Sequence, residues 1–177
     1  MNKKKEWKIS LVMVLASLVL DLTIFTFYAV AGDSRFERSS LTGLYGFHVI
    51  IEDLRPEIEK DGLKKEQIRK DIESQLLKAG IRVLTEEEQM KTPGGPVLQV
   101  IVSVLKSKSY GCYVFHIFMS LTQWVSLERN PAIKAPAATW HFGSTGIIDY
   151  KKLNNIRNEV KEELARFINA YLSVNNK

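Results

Sequence analysis

The sequence predicts an α+β domain: a mostly antiparallel sheet in the order β-α-β-β-β-β-α, with two helices packed on one face, preceded by an amino-terminal hydrophobic helix. Three observations carry this. Apolar residues alternate with polar ones over Leu98–Val104 and again over Tyr113–Leu127, the period of a strand. They recur at helical spacing at Ile68, Ile72, Leu76 and Leu77, and at Leu153, Ile156, Val160, Leu164, Phe167, Ile168, Tyr171 and Leu172. The strand-like runs follow one another directly after the first helix, which favours an antiparallel sheet with the helices collected on one side.

In chain order, the first element is the run from Ile9 to Ala31, whose one formal charge is Asp21. It is long enough to cross a bilayer. Lys3, Lys4, Lys5 and Lys8 precede it, while Asp33 and Glu37 balance Arg35 and Arg38 behind it, so the amino terminus is expected in the cytoplasm and the rest exported. Ala29-Val30-Ala31 places small residues where a signal peptidase reads them, which favours cleavage after Ala31. The apolar run exceeds the usual signal core of about 7–15 residues, which favours an uncleaved anchor in the cytoplasmic membrane through residues 9–31. Both readings stay open. Asp21 is the odd member, because a carboxylate near mid-bilayer costs roughly 2.5–3.5 kcal/mol on insertion scales. It is read either as a contact with another membrane helix or as a polar residue tolerated in a transient segment.

Residues 32–40, polar and small, read as a tether, and the exported domain is placed at 41–177. Leu44 to Leu54 reads as a strand ended by Pro56. Asp61 is positioned to cap the first helix and Gly80 to end it in a left-handed turn. Ile81–Leu84 reads as a short strand. Glu86, Glu87 and Glu88 with Thr92-Pro93-Gly94-Gly95-Pro96 read as a loop. The run from Cys112 to about Glu128 is longer than the usual strand of up to about 10 residues, so it must bend, bulge or project past the domain. Asn130, Pro131 and Pro136 mark a turn, Ala138, Trp140 and Phe142 a last strand closed by Gly143 and Gly146, and the second amphipathic helix ends the chain.

The chain has 177 residues, 45% of them hydrophobic and 10% aromatic, a net charge of +5 and a single cysteine, which excludes a disordered tail, a collagen-like fibre and a disulfide scaffold. Without residues 1–31 the charge falls to +3, so part of the positive charge is a topology signal. Cys112 has no partner for an intrachain disulfide, no cysteine near Ala31 could take a lipid anchor, and no Asn-x-Ser/Thr occurs. These features point to a bacterial envelope setting, the periplasm or the periplasmic face of the cytoplasmic membrane.

Catalytic and metal-binding patterns are weak. His48, His116 and His141 fall on three predicted strands and could converge, but no HxH or helical histidine pair supports a zinc site. Cys112 lacks a helix amino terminus or nucleophile elbow to activate it. The 92–96 loop lacks the Lys-Ser/Thr of a phosphate cradle. On the first helix Lys64, Lys65, Arg69 and Lys70 alternate with Glu66, Asp71 and Glu73, so a nucleic-acid stripe is not expected. No cofactor is expected. The aromatic residues are more informative: Phe118 and Trp124 have parity opposite to the main apolar face of the long run, which marks them as candidates for a partner-, lipid- or peptide-binding surface.

Gly62-Leu63 opening a helix that ends in Leu76-Leu77-Lys78-Ala79-Gly80-Ile81-Arg82-Val83-Leu84, in this order of elements, resembles a group of small exported envelope domains. The lipopolysaccharide-assembly lipoprotein, auxiliary lipoproteins of ABC transport systems and the amino-terminal domain of TolB are of this type. The resemblance covers about Leu41 to Asn175 and implies an export signal before a β-α-β(n)-α sandwich, although this chain lacks the acylated cysteine of the lipoproteins. Ala138–Gly143 and Arg166–Asn175 look like segments of other exported proteins. The leading expectation is thus a non-enzymatic envelope protein that binds an envelope protein or lipid-bearing partner through its sheet, the 112–128 run offering a strand edge. The alternatives are a small periplasmic enzyme or metal binder using His116 and His141, and a structural subunit of a membrane complex held through Asp21.

Overall fold

Alternation and helical spacing translate into a sheet with helices on one side in the computed structural model, which describes residues 32–175. The apolar run with Asp21, and Ala31 at its end, lie outside the described residues. Strands β1 (His48–Ile51), β2 (Val97–Ser107), β3 (Cys112–Leu127) and β4 (Asn130–Asp149) lie side by side in sequence order. β2, β3 and β4 pair antiparallel; β1 pairs parallel to β2. A parallel pair needs a crossover, and helices α2 (Pro56–Lys60), α3 (Lys65–Lys78) and α4 (Glu86–Lys91) make it. A 3₁₀ turn (Tyr150–Asn155) leads into α5 (Ile156–Asn175). The sheet is therefore mixed and mostly antiparallel. Among the described residues no helix is long and apolar enough to cross a membrane.

The core lies between one sheet face and α3 and α5. Leu98, Val100, Ile117, Met119, Leu121 and Trp140 meet Ile68, Ile72 and Leu76 from α3 and Ile156, Leu164 and Phe167 from α5. Trp140 and Phe167 pack edge to face with centroids 4.9 Å apart, and Phe47 meets the same Phe167 ring at 5.2 Å. Arg157 of α5 holds Asp71 of α3 by two hydrogen bonds, 2.7 and 3.0 Å, tying the helices together outside the core.

The expected second strand, Ile81–Leu84, contributes only one bridge, Val83 to Phe47. It sits between Gly80, at φ +72°, and Thr85, which caps the next helix, so no room remains for a ladder. The element order accordingly loses one strand. The first strand, expected over Leu44–Leu54, is regular only over four residues. Glu86–Lys91, expected as loop, is α4: Thr85 accepts from Glu88 N while the Glu88 carboxylate accepts from Thr85 N, a capping box with three acids in the first turn. Asp61 does not cap α3. It closes α2 and accepts from Lys106 Nζ and Tyr113 Oη, both at 2.7 Å.

Gly143 and Gly146 do not close the last strand, because each is a gap that a neighbour fills. A Cβ on Gly146 would stand 2.5 Å from the Phe115 ring, and one on Gly143 would stand 2.8 Å from the Ile117 carbonyl oxygen. Both glycines thus belong inside β4. The turn falls at Glu128-Arg129, so Pro131 and Pro136 lie in β4 itself.

The long run does what its length required. β2 stops at Val97, opposite Thr122, and beyond it Gln123–Leu127 and Asn130–Ala137 continue as a two-stranded ribbon, with register shifts at its root, Leu121/Thr122, and near its tip, Ser126/Leu127. The polar stretch 32–40 carries more structure than a tether. Ser34 caps helix α1 (Arg35–Ser39) in a capping box with Glu37. Asp33 N donates to His141 O (3.1 Å), Trp140 Nε1 donates to Asp33 Oδ1 (2.9 Å), and Ser40 Oγ donates to Thr139 O (3.0 Å). The stretch clamps the edge of β4 at residues 139–141.

Candidate functional site

Strict alternation leaves β2, β3 and β4 with a second face, which no described helix packs across and which Glu37 of α1 and the 92–96 loop touch only at its rim. The register sorts it into rows. Gln99, Ser120 and His141 form one; Ile101, Phe118 and Gly143 the next; then Ser103, His116 and Thr145; then Leu105, Val114 and Ile147. Polar and apolar rows thus alternate across three strands. Ile50 of β1 extends the first row beside Gln99, and Ile50, Leu105 and Ile147 are exposed.

Phe118 is the centre of this face. Its ring is half-buried and lies between the rings of His116 (centroids 6.3 Å, stacked) and His141 (6.0 Å, tilted). Gly143, directly opposite on β4, lets it lie there: a Cβ would come 3.2 Å from Phe118 Cδ2 and 3.5 Å from His116 Cε1. Both histidines are held from their other side. His116 Nδ1 pairs with Thr145 Oγ1 at 3.0 Å, and His141 Nδ1 with Glu37 Oε1 at 2.7 Å. The result is a three-ring stripe, apolar in the middle and hydrogen-bonding at both flanks, which suits an amphipathic surface of a partner.

Trp124 lies on the same side of β3, six residues or roughly 20 Å further along, at the root of the projecting ribbon. It is 56% exposed. Its main-chain N–H donates to Gly94 O at 2.8 Å and its ring borders Gly95, where a Cβ would stand 3.3 Å from Trp124 Cδ1. The 92–96 loop is therefore a rest for Trp124. Buried Ser120 and half-buried Thr122 separate the two aromatic residues on that face, so Phe118 and Trp124 form two stations along one strand.

The three histidines do not converge. His48, on β1, gives its Nδ1 to Leu84 O at 2.9 Å, away from the stripe. Among the described residues no cluster of three or more His, Cys, Asp or Glu is arranged to hold a metal. Cys112 is half-buried at the start of β3, two rows from His116. Two shallow clefts lie elsewhere: one of about 390 Å³ beside α1, lined by Asp33, Arg35, Arg38 and Ser173, and one of about 450 Å³ lined by Glu73, Leu77, Ile81 and Arg82.

No family model, curated protein or solved structure matches this chain. Function must be argued from the surface itself.

Two features of that surface escaped the sequence reading. One is the clamp by residues 32–40, whose signal was the Ser34-x-x-Glu37 capping box. The other is which strand forms the edge. The 112–128 run, expected to offer one, is paired on both sides from Cys112 to Thr122, and the outer strand is β4.

Proposed function

We propose that this chain is a non-enzymatic accessory domain of the bacterial envelope, on the outer side of the cytoplasmic membrane, that binds an envelope protein or lipid-bearing partner across its open sheet face. The observation that supports this reading is the His116-Phe118-His141 stripe on a sheet face left without cover, with Ile101 beside it and Trp124 further along. Aromatic side chains framed by hydrogen-bonding groups are the residues that anchor interfaces. Export rests on the sequence, through the four lysines ahead of the apolar run and the open choice between a signal peptide and an anchor. The resemblance to exported accessory domains agrees with this role.

The test is recovery of the partner from envelope extracts on tagged full-length chain. Phe118→Ser and Trp124→Ser should each reduce it while the melting transition stays cooperative. Equal recovery with both variants would sink the reading. Recovery restored by Phe118→Tyr, which keeps the ring, would tie the loss to the stripe.

A further inference from the structure

We infer that β4 pairs with β4 of a second copy of this chain, antiparallel and symmetric about Gly146, joining two four-stranded sheets edge to edge. The orientation of the backbone identifies the free edge. His141 O accepts from Asp33 N, so its carbonyl points away from β3, whereas Ile117 O points toward β4 and would lie 2.8 Å from a Cβ on Gly143. Register is unbroken from His141 to Asp149, so Gly143, Thr145, Ile147 and Asp149 all turn their main-chain groups outward. Among the described residues β4 is the outer strand, and no further strand pairs with Gly143, Thr145 or Ile147 on this side.

Towards its amino-terminal end the β4 edge is blocked. The ribbon half of β4 carries Pro131, Lys134 and Pro136, residues that block strand addition. The clamp by Asp33 and Ser40 occupies residues 139–141. β1 at the opposite edge is only four residues long and runs into Glu52 and Asp53. Between the clamp and the 3₁₀ turn, Gly143-Ser144-Thr145-Gly146-Ile147-Ile148 has no proline and no charge before Asp149. This is the stretch an unprotected edge would need.

A second copy is the occupant that fits it. Pairing about Gly146 sets Thr145 against Ile147 of the second copy twice, two β-branched pairs on the open face. The two Ile147 side chains, each 72% exposed in the single chain, become diagonal neighbours about 7–8 Å apart. The strands come closest, about 4.5 Å between Cα atoms, where a glycine faces a glycine. Polarity agrees as well, since the Asp149 carboxylate, an acceptor, falls diagonally opposite the His141 ring of the second copy. The symmetric span runs from Gly143 to Asp149 and stops short of both clamps. Seven residues a side is far fewer than the roughly 20–30 of a standard interface. The pair is therefore weak in dilute solution and forms where chains are concentrated.

Full-length chain carrying Cys112→Ser and Ile147→Cys, in its own membranes or in detergent, is treated with a short bismaleimide. A dimer band is expected at position 147 and absent for Ser103→Cys, which is also exposed but lies two strands inside the sheet. Adding Thr145→Lys should abolish the band without lowering the melting temperature, and Thr145→Val should keep it. No band at position 147 despite complete labelling, an equal band from Ser103→Cys, or a band that survives Thr145→Lys would each overturn the inference. The last result would assign dimerisation to another part of the chain.

Discussion

The two faces of β3 carry aromatic and aliphatic residues alike and have different fates. On one face Tyr113, Phe115, Ile117, Met119 and Leu121 are buried beneath α3 and α5. On the other, Val114 and Phe118 are half-buried and His116 is exposed. Alternation decides which side chains share a face; it does not decide whether that face is a core. What decides is whether the helices have an apolar stripe left to offer, and the buried apolar residues of α3 and α5 all belong to the same single core. The second face has no such cover among the described residues, and its apolar rows are interrupted by hydrogen-bonding ones.

The largest expected effect follows from that contrast. Trp140 is fully buried against Phe167 and donates to Asp33, so Trp140→Ala should cost about 3–5 kcal/mol in a denaturant titration. Phe118→Ser, only half-buried, should cost about 1 kcal/mol. A cost at Phe118 as large as that at Trp140 would mean that the open face is in truth a second core. Next comes Gly146→Ala, which forces a methyl into the Phe115 ring and should cost roughly 1–3 kcal/mol. Pairing Gly146→Ala with Phe115→Leu should recover part of that loss, since the clash is with the ring.

Glu163 sharpens the contrast with a smaller effect of opposite sign. It sits on the buried side of α5, only 6% exposed, and its Oε2 finds no hydrogen-bond partner. Burial raises its pKa above the ordinary carboxylate value, and the Ser144 hydroxyl and Arg166 offset this in part. Between the ordinary carboxylate pKa and the raised one, the folded state therefore keeps a proton that the unfolded chain has released. Stability from this residue is complete below the ordinary carboxylate pKa and declines as pH rises through the raised one. Glu163→Gln cannot ionise, so it should melt higher than the parent at neutral pH, and the difference should vanish in acid. A neutral-pH melting temperature unchanged or lowered would show that the carboxylate is better solvated than its burial implies.

The strongly periodic parts of this fold were legible in the sequence. Leu98–Val104, Tyr113–Leu121 and the two long helices keep their period because each presents one face to a single core. Parity alone also put Phe118 and Trp124 on the face away from the core. What could not be read was set by partners distant in sequence. Gly143 and Gly146 look like strand breakers until Ile117, Phe118 and Phe115 are seen to need the space. Ile81–Leu84 looks like a strand, but its flanking caps leave it one bridge. Residues 32–40 look like a tether because their bonds go to Thr139 and His141, about a hundred residues away. The three-ring stripe was invisible for the same reason, since register, not spacing, brings His116 and His141 to either side of Phe118.

The smallest stability effect is expected at Trp124, and there the contrast between the faces is tested without interference from the core. More than half of its surface is open to solvent and its main-chain bond to Gly94 does not depend on the side chain. Trp124→Ser should therefore shift unfolding by no more than about 0.5 kcal/mol, the range of an ordinary surface substitution. The indole nonetheless stands at the root of a ribbon that leaves the sheet, where a large apolar group is most easily met by another molecule. If the ring is present for recognition, partner recovery falls while the unfolding midpoint stays. If it is present to brace the 92–96 loop through Gly95, the midpoint falls and recovery follows only in proportion to the fraction unfolded. Measuring both on one variant separates a side chain that binds from one that packs.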